Sequence, residues 1–211
     1  MQYADHGRAE MTMKALLTIC VFAIQTLVAT SGCALAQNAT TAEARLKEMN
    51  ITLVPAYPPV GNYLDSVQVG KLLFLAGNTL GPNPPLKSRG KVGKDITVQE
   101  GYETARQVGL IMLSKVRAAL GSLDRVTRIV KVLGMVNSAE GFGDQSSVMN
   151  GFSNLMVQVF GEAIGKHARS AVGMAALPFN NAVEVEMIVE VVSAESQERR
   201  IPRQVRTADP A

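Results

Sequence analysis

Arg169 has the surroundings that chemistry would need. It lies in the run His167-Ala168-Arg169-Ser170-Ala171-Val172-Gly173-Met174-Ala175-Ala176-Leu177-Pro178. On a strand of period two, Arg169, Ala171, Gly173 and Ala175 share one face. Three tiny side chains beside a guanidinium leave a concavity, and the guanidinium's parallel N–H donors fit a carboxylate. Spacing alone gives equal standing to a surface arginine in an ordinary salt bridge. A second set of groups is acidic: Val183, Val185, Met187, Val189 and Val191 alternate with Glu184, Glu186, Ile188 and Glu190. For Glu186 and Glu190 the simpler account is the solvated face of an outer strand.

Other chemistries find little support. Gly81-Pro82-Asn83-Pro84-Pro85 is no phosphate loop, because prolines lack the N–H groups that cradle phosphate. The histidines are His6 and His167, too few for a histidine-rich metal site. A Ser/His/Asp triad would need His167, yet no serine carries a nucleophile motif. His167 therefore reads as a solvated loop residue. The formal charge is +3, Trp is absent and aromatics make up 5%. With lysines and arginines scattered, the basic, aromatic-studded surface of a nucleic-acid binder is missing, and no nucleic-acid partner is expected.

Arg169 and the acidic residues of the last strand need regular elements to position them. With 47% hydrophobic and 18% charged residues in 211, the chain suits one folded domain plus extensions. Thr97 followed by Glu100 forms a capping box. Tyr102, Ala105, Gly109, Met112, Val116 and Ala119 then recur at helical spacing, and Gly121 ends the helix. A second helix starts near Asp144, places Val148, Phe152, Leu155 and Val159 on one face, and stops at Gly161. Strands are read at Ser66–Val69 and Leu72–Ala76 around the turn Gly70-Lys71, at Val126–Val136, at Ala168–Leu177 and at Val183–Val192. The order β-β-α-β-α-β-β predicts an α+β fold with the two helices on one face of a mixed sheet. The bare face then calls for another subunit.

Both ends differ from this pattern. Met13-Lys14, the largely apolar stretch Ala15–Ala29 and Ala34-Leu35-Ala36 follow the order of a secretory signal peptide, cleaved after Ala36. Its apolar run of about 15 residues is shorter than the roughly 20 of a membrane span. The protein is thus expected to be exported, periplasmic or secreted, with Met11 or Met13 as its start. Cys20 and Cys33 fall inside this segment and leave the mature chain without a thiol. Ser31-Gly32-Cys33 is the exception to weigh: lipidation of Cys33 would hold the protein to a membrane, although Thr30 stands where leucine is expected. Residues 37–44 read as a flexible lead, 45–193 as the domain and 194–211 as a polar tail.

The Arg169 run, followed by Val183-Glu184-Val185-Glu186, resembles the C-terminal signature of the reactive-intermediate deaminase (Rid or YjgF-like) family, formerly labelled L-PSP endoribonuclease. Val60-Gly61-Asn62-Tyr63 and Leu75-Ala76-Gly77-Asn78 are similar to its N-terminal motifs. The likeness covers about Arg45 to Ser193 and points to a branch with a longer N-terminus and no assigned substrate. It implies a chorismate-mutase-like fold, a homotrimer with ligand clefts between subunits, and no metal or organic cofactor. It further implies hydrolysis of an enamine or imine to a keto acid and ammonia. Arg169 would grip the substrate carboxylate and Glu184 would activate water. Tyr63, Asn150, Gly77 and Ala171 would complete the binding set. Two departures stand out: Ala171 where many relatives have cysteine, and Ala76-Gly77-Asn78 where they tend to have Ser-Gly-Gln. A trimer that binds small carboxylates or protein partners without turnover is the alternative. Ribonuclease activity, the older label, lacks both the basic surface and a histidine pair.

Overall fold

The computed structural model describes residues 40–55 and 57–192. The segment read as a signal peptide with both cysteines, residues 37–39 of the lead and the polar tail lie outside the described residues. The first element is a short helix, α1 (Ala42–Glu48), opened by the Thr41 side chain accepting from the Ala44 N–H. It takes in residues 42–44, which the sequence reading gave to the lead. Seven residues are too few to show an apolar stripe, so packing decides the helix. Glu43 supplies that packing: its carboxylate accepts from Arg117 at 2.5 Å and from the Leu123 N–H at 2.9 Å.

Strands β1 (Ser66–Val69) and β2 (Leu72–Asn78) form an antiparallel hairpin. Gly70 stands in its turn at φ +60°, a backbone setting that glycine adopts at little cost. Helix α2 (Val98–Leu120) carries the expected capping box from Thr97 and Glu100, and Gly121 ends it at φ +80°. Next come β3 (Val126–Asn137), α3 (Gln145–Phe160), the single turn α4 (Glu162–Gly165), β4 (Ala168–Met174) and β5 (Val183–Val191). β4 is shorter than its apolar run suggested, because Ser138 N–H takes the Met174 carbonyl and the chain then leaves the ladder.

The sheet order is β1-β2-β5-β3-β4, with β3 and β4 parallel and the other neighbours antiparallel. Both long helices pack on one face. Val183, Val185, Met187, Val189 and Val191 meet Ala105, Val108, Met112 and Val116 of α2 and Val148, Met149, Phe152 and Leu155 of α3 in a single core. On α2 the buried stripe is wider than the spacing indicated, adding Leu113 and Leu120, while Ala119 is exposed. The two helices approach closely at Gly151, where any Cβ would run into the Tyr102 backbone carbonyl. Among the described residues no helix covers the opposite sheet face. There Val67 is 50% exposed, Val69 63% and Phe74 40%.

Candidate functional site

Arg169 reaches the edge of the sheet through the β3-α3-α4-β4 connection. β4 runs parallel to β3, and α3 lies above the pair, so the side chain rises from β4 against the flank of α3. Nη1 donates to Asn150 Oδ1 at 3.1 Å and to Ser153 Oγ at 2.9 Å, and Nη2 donates to the Ser146 carbonyl at 3.3 Å. Residues 146, 150 and 153 sit at i, i+4 and i+7, which makes one stripe of a helix. A guanidinium has five N–H donors. Three are spent on neutral acceptors, leaving Nε–H and one N–H of Nη2. Among the described residues no carboxylate lies within 4 Å of it. Among the described residues of one chain, Arg169 thus makes no ordinary salt bridge of the kind that spacing allowed. Burial lowers its pKa, yet a guanidinium so far above neutrality remains a cation. Ala171 lies on the same face and packs partly against the core, as period two required.

His167 is not the solvated loop residue its sequence setting suggested. It is half-buried, its ring edge-on to Phe152 with centroids 6.2 Å apart. Nδ1 lies 2.7 Å from the Gly165 carbonyl and Nε2 lies 3.1 Å from Ser153 Oγ. Burial holds its pKa below the usual histidine value, opposed by the Gly165 carbonyl and reinforced by the Arg169 charge. The sequence contained a usable signal for this cluster. His167 stands just ahead of β4, two residues before Arg169, and Asn150 and Ser153 are three apart on one helix.

Glu184 belongs to a different surface. On β5 the odd residues are buried and the even ones turn to the open face. A bulge between Leu75 and Asn78 turns Asn78 inward, where its Nδ2 donates to the Ala76 carbonyl at 2.8 Å. The same bulge points Gly77 outward, and the Glu184 carboxylate occupies the space a Cβ there would take. Burial, then the neighbouring Glu186 charge, pushes the Glu184 carboxyl above its ordinary value. A carboxyl so tuned can exchange protons nearer neutrality than a solvated one. Beside it Ala76, Phe74, Lys131, Leu133, Glu186 and Ile188 line a shallow hollow of about 370 Å³.

Within one chain Arg169 and Glu184 do not meet. Arg169 pairs across with Val132, which pairs in turn with the buried Met187, so Arg169 leaves the helix-covered face. Glu184 pairs with Met135, which pairs with the exposed Val172, so Glu184 leaves the open face. Tyr63 is 48% exposed and stands just before β1, at the sheet edge farthest from β4. At about 4.8 Å per strand step, those edges are about 19 Å apart. The expected set thus divides into two clusters, Arg169 with Asn150 and Ala171, and Glu184 with Gly77, while Tyr63 stands at the edge away from Arg169.

Residues 43–191 match the sequence profile of the family described as "YjgF/chorismate_mutase-like, putative endoribonuclease". The chain belongs to this YjgF-like family. A YjgF-like chain with a five-stranded mixed sheet and helices on one face has the α+β fold that the element order predicted and the chorismate-mutase-like form that the resemblance implied. It is 44% identical over 148 residues to Protein TCP17 of Trypanosoma cruzi, covering 70% of this chain and 92% of that protein. A crystal structure of an Agrobacterium tumefaciens protein of unknown function is 39% identical, with a TM-score of 0.63 over 72% of this chain and 92% of that one. A Shewanella oneidensis protein described as a "putative endoribonuclease" is 29% identical, with a TM-score of 0.67 over 72% of this chain and 99% of that one.

Proposed function

We propose that this YjgF-like protein hydrolyses enamines or imines of small carboxylate-bearing compounds to keto acids and ammonia. It would do so outside the cytoplasm, as an exported homotrimer, without metal or organic cofactor. The observation that carries the reading is Arg169: a half-buried cation held by three neutral acceptors, with two donors left and no anion beside it among the described residues. A ligand carboxylate supplies the missing charge, and such a charge-assisted contact contributes about 1.5–3 kcal/mol.

The chemistry asks little more of the protein. An imine carbon is already electrophilic, so held substrate and delivered water suffice. Glu184 takes a proton from the attacking water as the new C–O bond forms. It passes that proton to nitrogen, giving a carbinolamine, and then moves the new hydroxyl's proton to nitrogen as the C–N bond breaks, leaving C=O and ammonia. The raised proton affinity of Glu184 supports both steps. Because Arg169 and Glu184 leave opposite sheet faces, a site that uses both draws them from different chains, which is why assembly belongs to the proposal.

An amino-acid oxidase can generate imines from a panel of amino acids, with semicarbazide trapping what escapes hydrolysis. The protein should reduce trapping on at least one imine, and Arg169→Ala should lose the effect. If wild type leaves trapping unchanged across the panel, hydrolysis is abandoned and the protein is a carboxylate-binding trimer instead.

A further inference from the structure

The contacts around a neutral His167 ring allow a single arrangement of protons. A carbonyl oxygen only accepts, so Nδ1, 2.7 Å from the Gly165 carbonyl, carries the ring's proton. Nε2 of the neutral ring is then bare, and the Ser153 hydroxyl at 3.1 Å donates to it. With its proton committed, the Ser153 oxygen presents lone pairs to Arg169, whose Nη1 donates at 2.9 Å. We propose that Ser153 and His167 are positioning residues, a proton-ordered pair that fixes Arg169 for its carboxylate ligand and releases it when the ring is protonated. The inference rests on Arg169 as the carboxylate-binding group.

Protonation would break this order at one atom. Nε2 becomes a donor aimed at the oxygen that Arg169 already uses, and the serine proton loses its acceptor. An imidazolium and a guanidinium, bridged by one oxygen, then repel each other. The other charges on the surrounding elements are accounted for. On α4, Glu162 pairs with Lys166, and Arg128 of β3 donates to the Ala163 carbonyl. Lys131 of β3 is turned to the other face, on Ser170. The groups that α3 offers, Asn150 and Ser153, are neutral. Arg169 is therefore the charge that senses the ring, and burial keeps the ring neutral at physiological pH.

The test uses the full chain labelled with nitrogen-15 histidine, whose two histidines are distinguished by His167→Phe, and pyruvate as a probe that stays ionised throughout. Long-range proton–nitrogen spectra should show His167 as the Nδ1–H tautomer; an Nε2–H tautomer overturns the inference. The pyruvate dissociation constant should rise about three- to tenfold on acidification, the worth of one hydrogen bond, with its midpoint at the His167 titration. Ser153→Ala and His167→Phe should weaken binding at neutral pH and flatten this dependence, and Ser153→Thr should restore both. If Ser153→Ala follows the wild-type curve, the pair does not position Arg169. If wild type shows the Nδ1–H tautomer but binds no carboxylate at any pH, the carboxylate reading of Arg169 falls and this inference falls with it.

Discussion

Glu184 shows how two residues set the behaviour of a third. Gly77 gives its carboxylate a place, and the lack of a Cβ there is a condition of that place. Burial and the Glu186 charge two positions on raise its pKa. As a base it must be ionised, so turnover should fall as pH drops, and should do so above the range where solvated carboxyls titrate. Glu186→Gln removes the like charge but leaves the burial. The acid limb of the kcat profile should move to lower pH while the alkaline side stays in place. An acid limb that does not move would show that some other group sets it. The same shift has a sign for stability. The folded state holds a proton that the unfolded chain has released, so this group's contribution is present at low pH. It is lost as pH rises through the folded value.

At the scale of elements, the two long helices separate what local chemistry dictates from what packing dictates. The start of α2 is written in two side chains: Thr97 accepts from the Glu100 N–H at 3.2 Å, and Glu100 accepts from the Thr97 N–H at 2.9 Å. Thr97→Ala should lower the melting temperature by about 2–4 °C, the effect of losing one cap in a domain of this size. Gly151→Ala should cost more, about 1–3 kcal/mol, because its Cβ meets backbone that cannot rotate aside. Thermal unfolding of the two variants side by side checks the order, and equal losses would mean the helices part freely at Gly151. The contrast explains what could be read in the chain. Caps, periodicity and the Gly70 turn are local, so both helices and all five strands were legible. The bulge at residues 75–78 and helix α1 depend on contacts far away in sequence. So does the place of His167, whose ring is defined by Phe152 and Ser153 on another element. Arg169 was legible as chemistry and Glu184 through the family resemblance, but not as groups on opposite faces, since that follows from register through β3.

For the whole molecule, the open sheet face and the divided site raise one question. Val67, Val69, Leu72 and Phe74 form an exposed apolar surface that a monomer would rarely leave in water. A ring of identical subunits, each offering one surface to the next, would cover it and bring the Arg169 cluster of one chain to the Glu184 cluster of its neighbour. Complementation tests this directly. Arg169→Ala and Glu184→Gln should each be inactive alone. If the two are dissociated together in equal amounts and allowed to reassemble, a site is intact only where a Glu184→Gln chain gives the arginine and an Arg169→Ala chain gives the glutamate. Random assembly makes that about one site in four, so about a quarter of wild-type turnover should return. Phe74→Asp, which puts a charge on the open face, should abolish both the oligomer in sedimentation and the recovered activity. If the reassembled mixture stays inactive, Arg169 and Glu184 do not serve one site across two chains, and the placement of the glutamate opposite Arg169 loses its support.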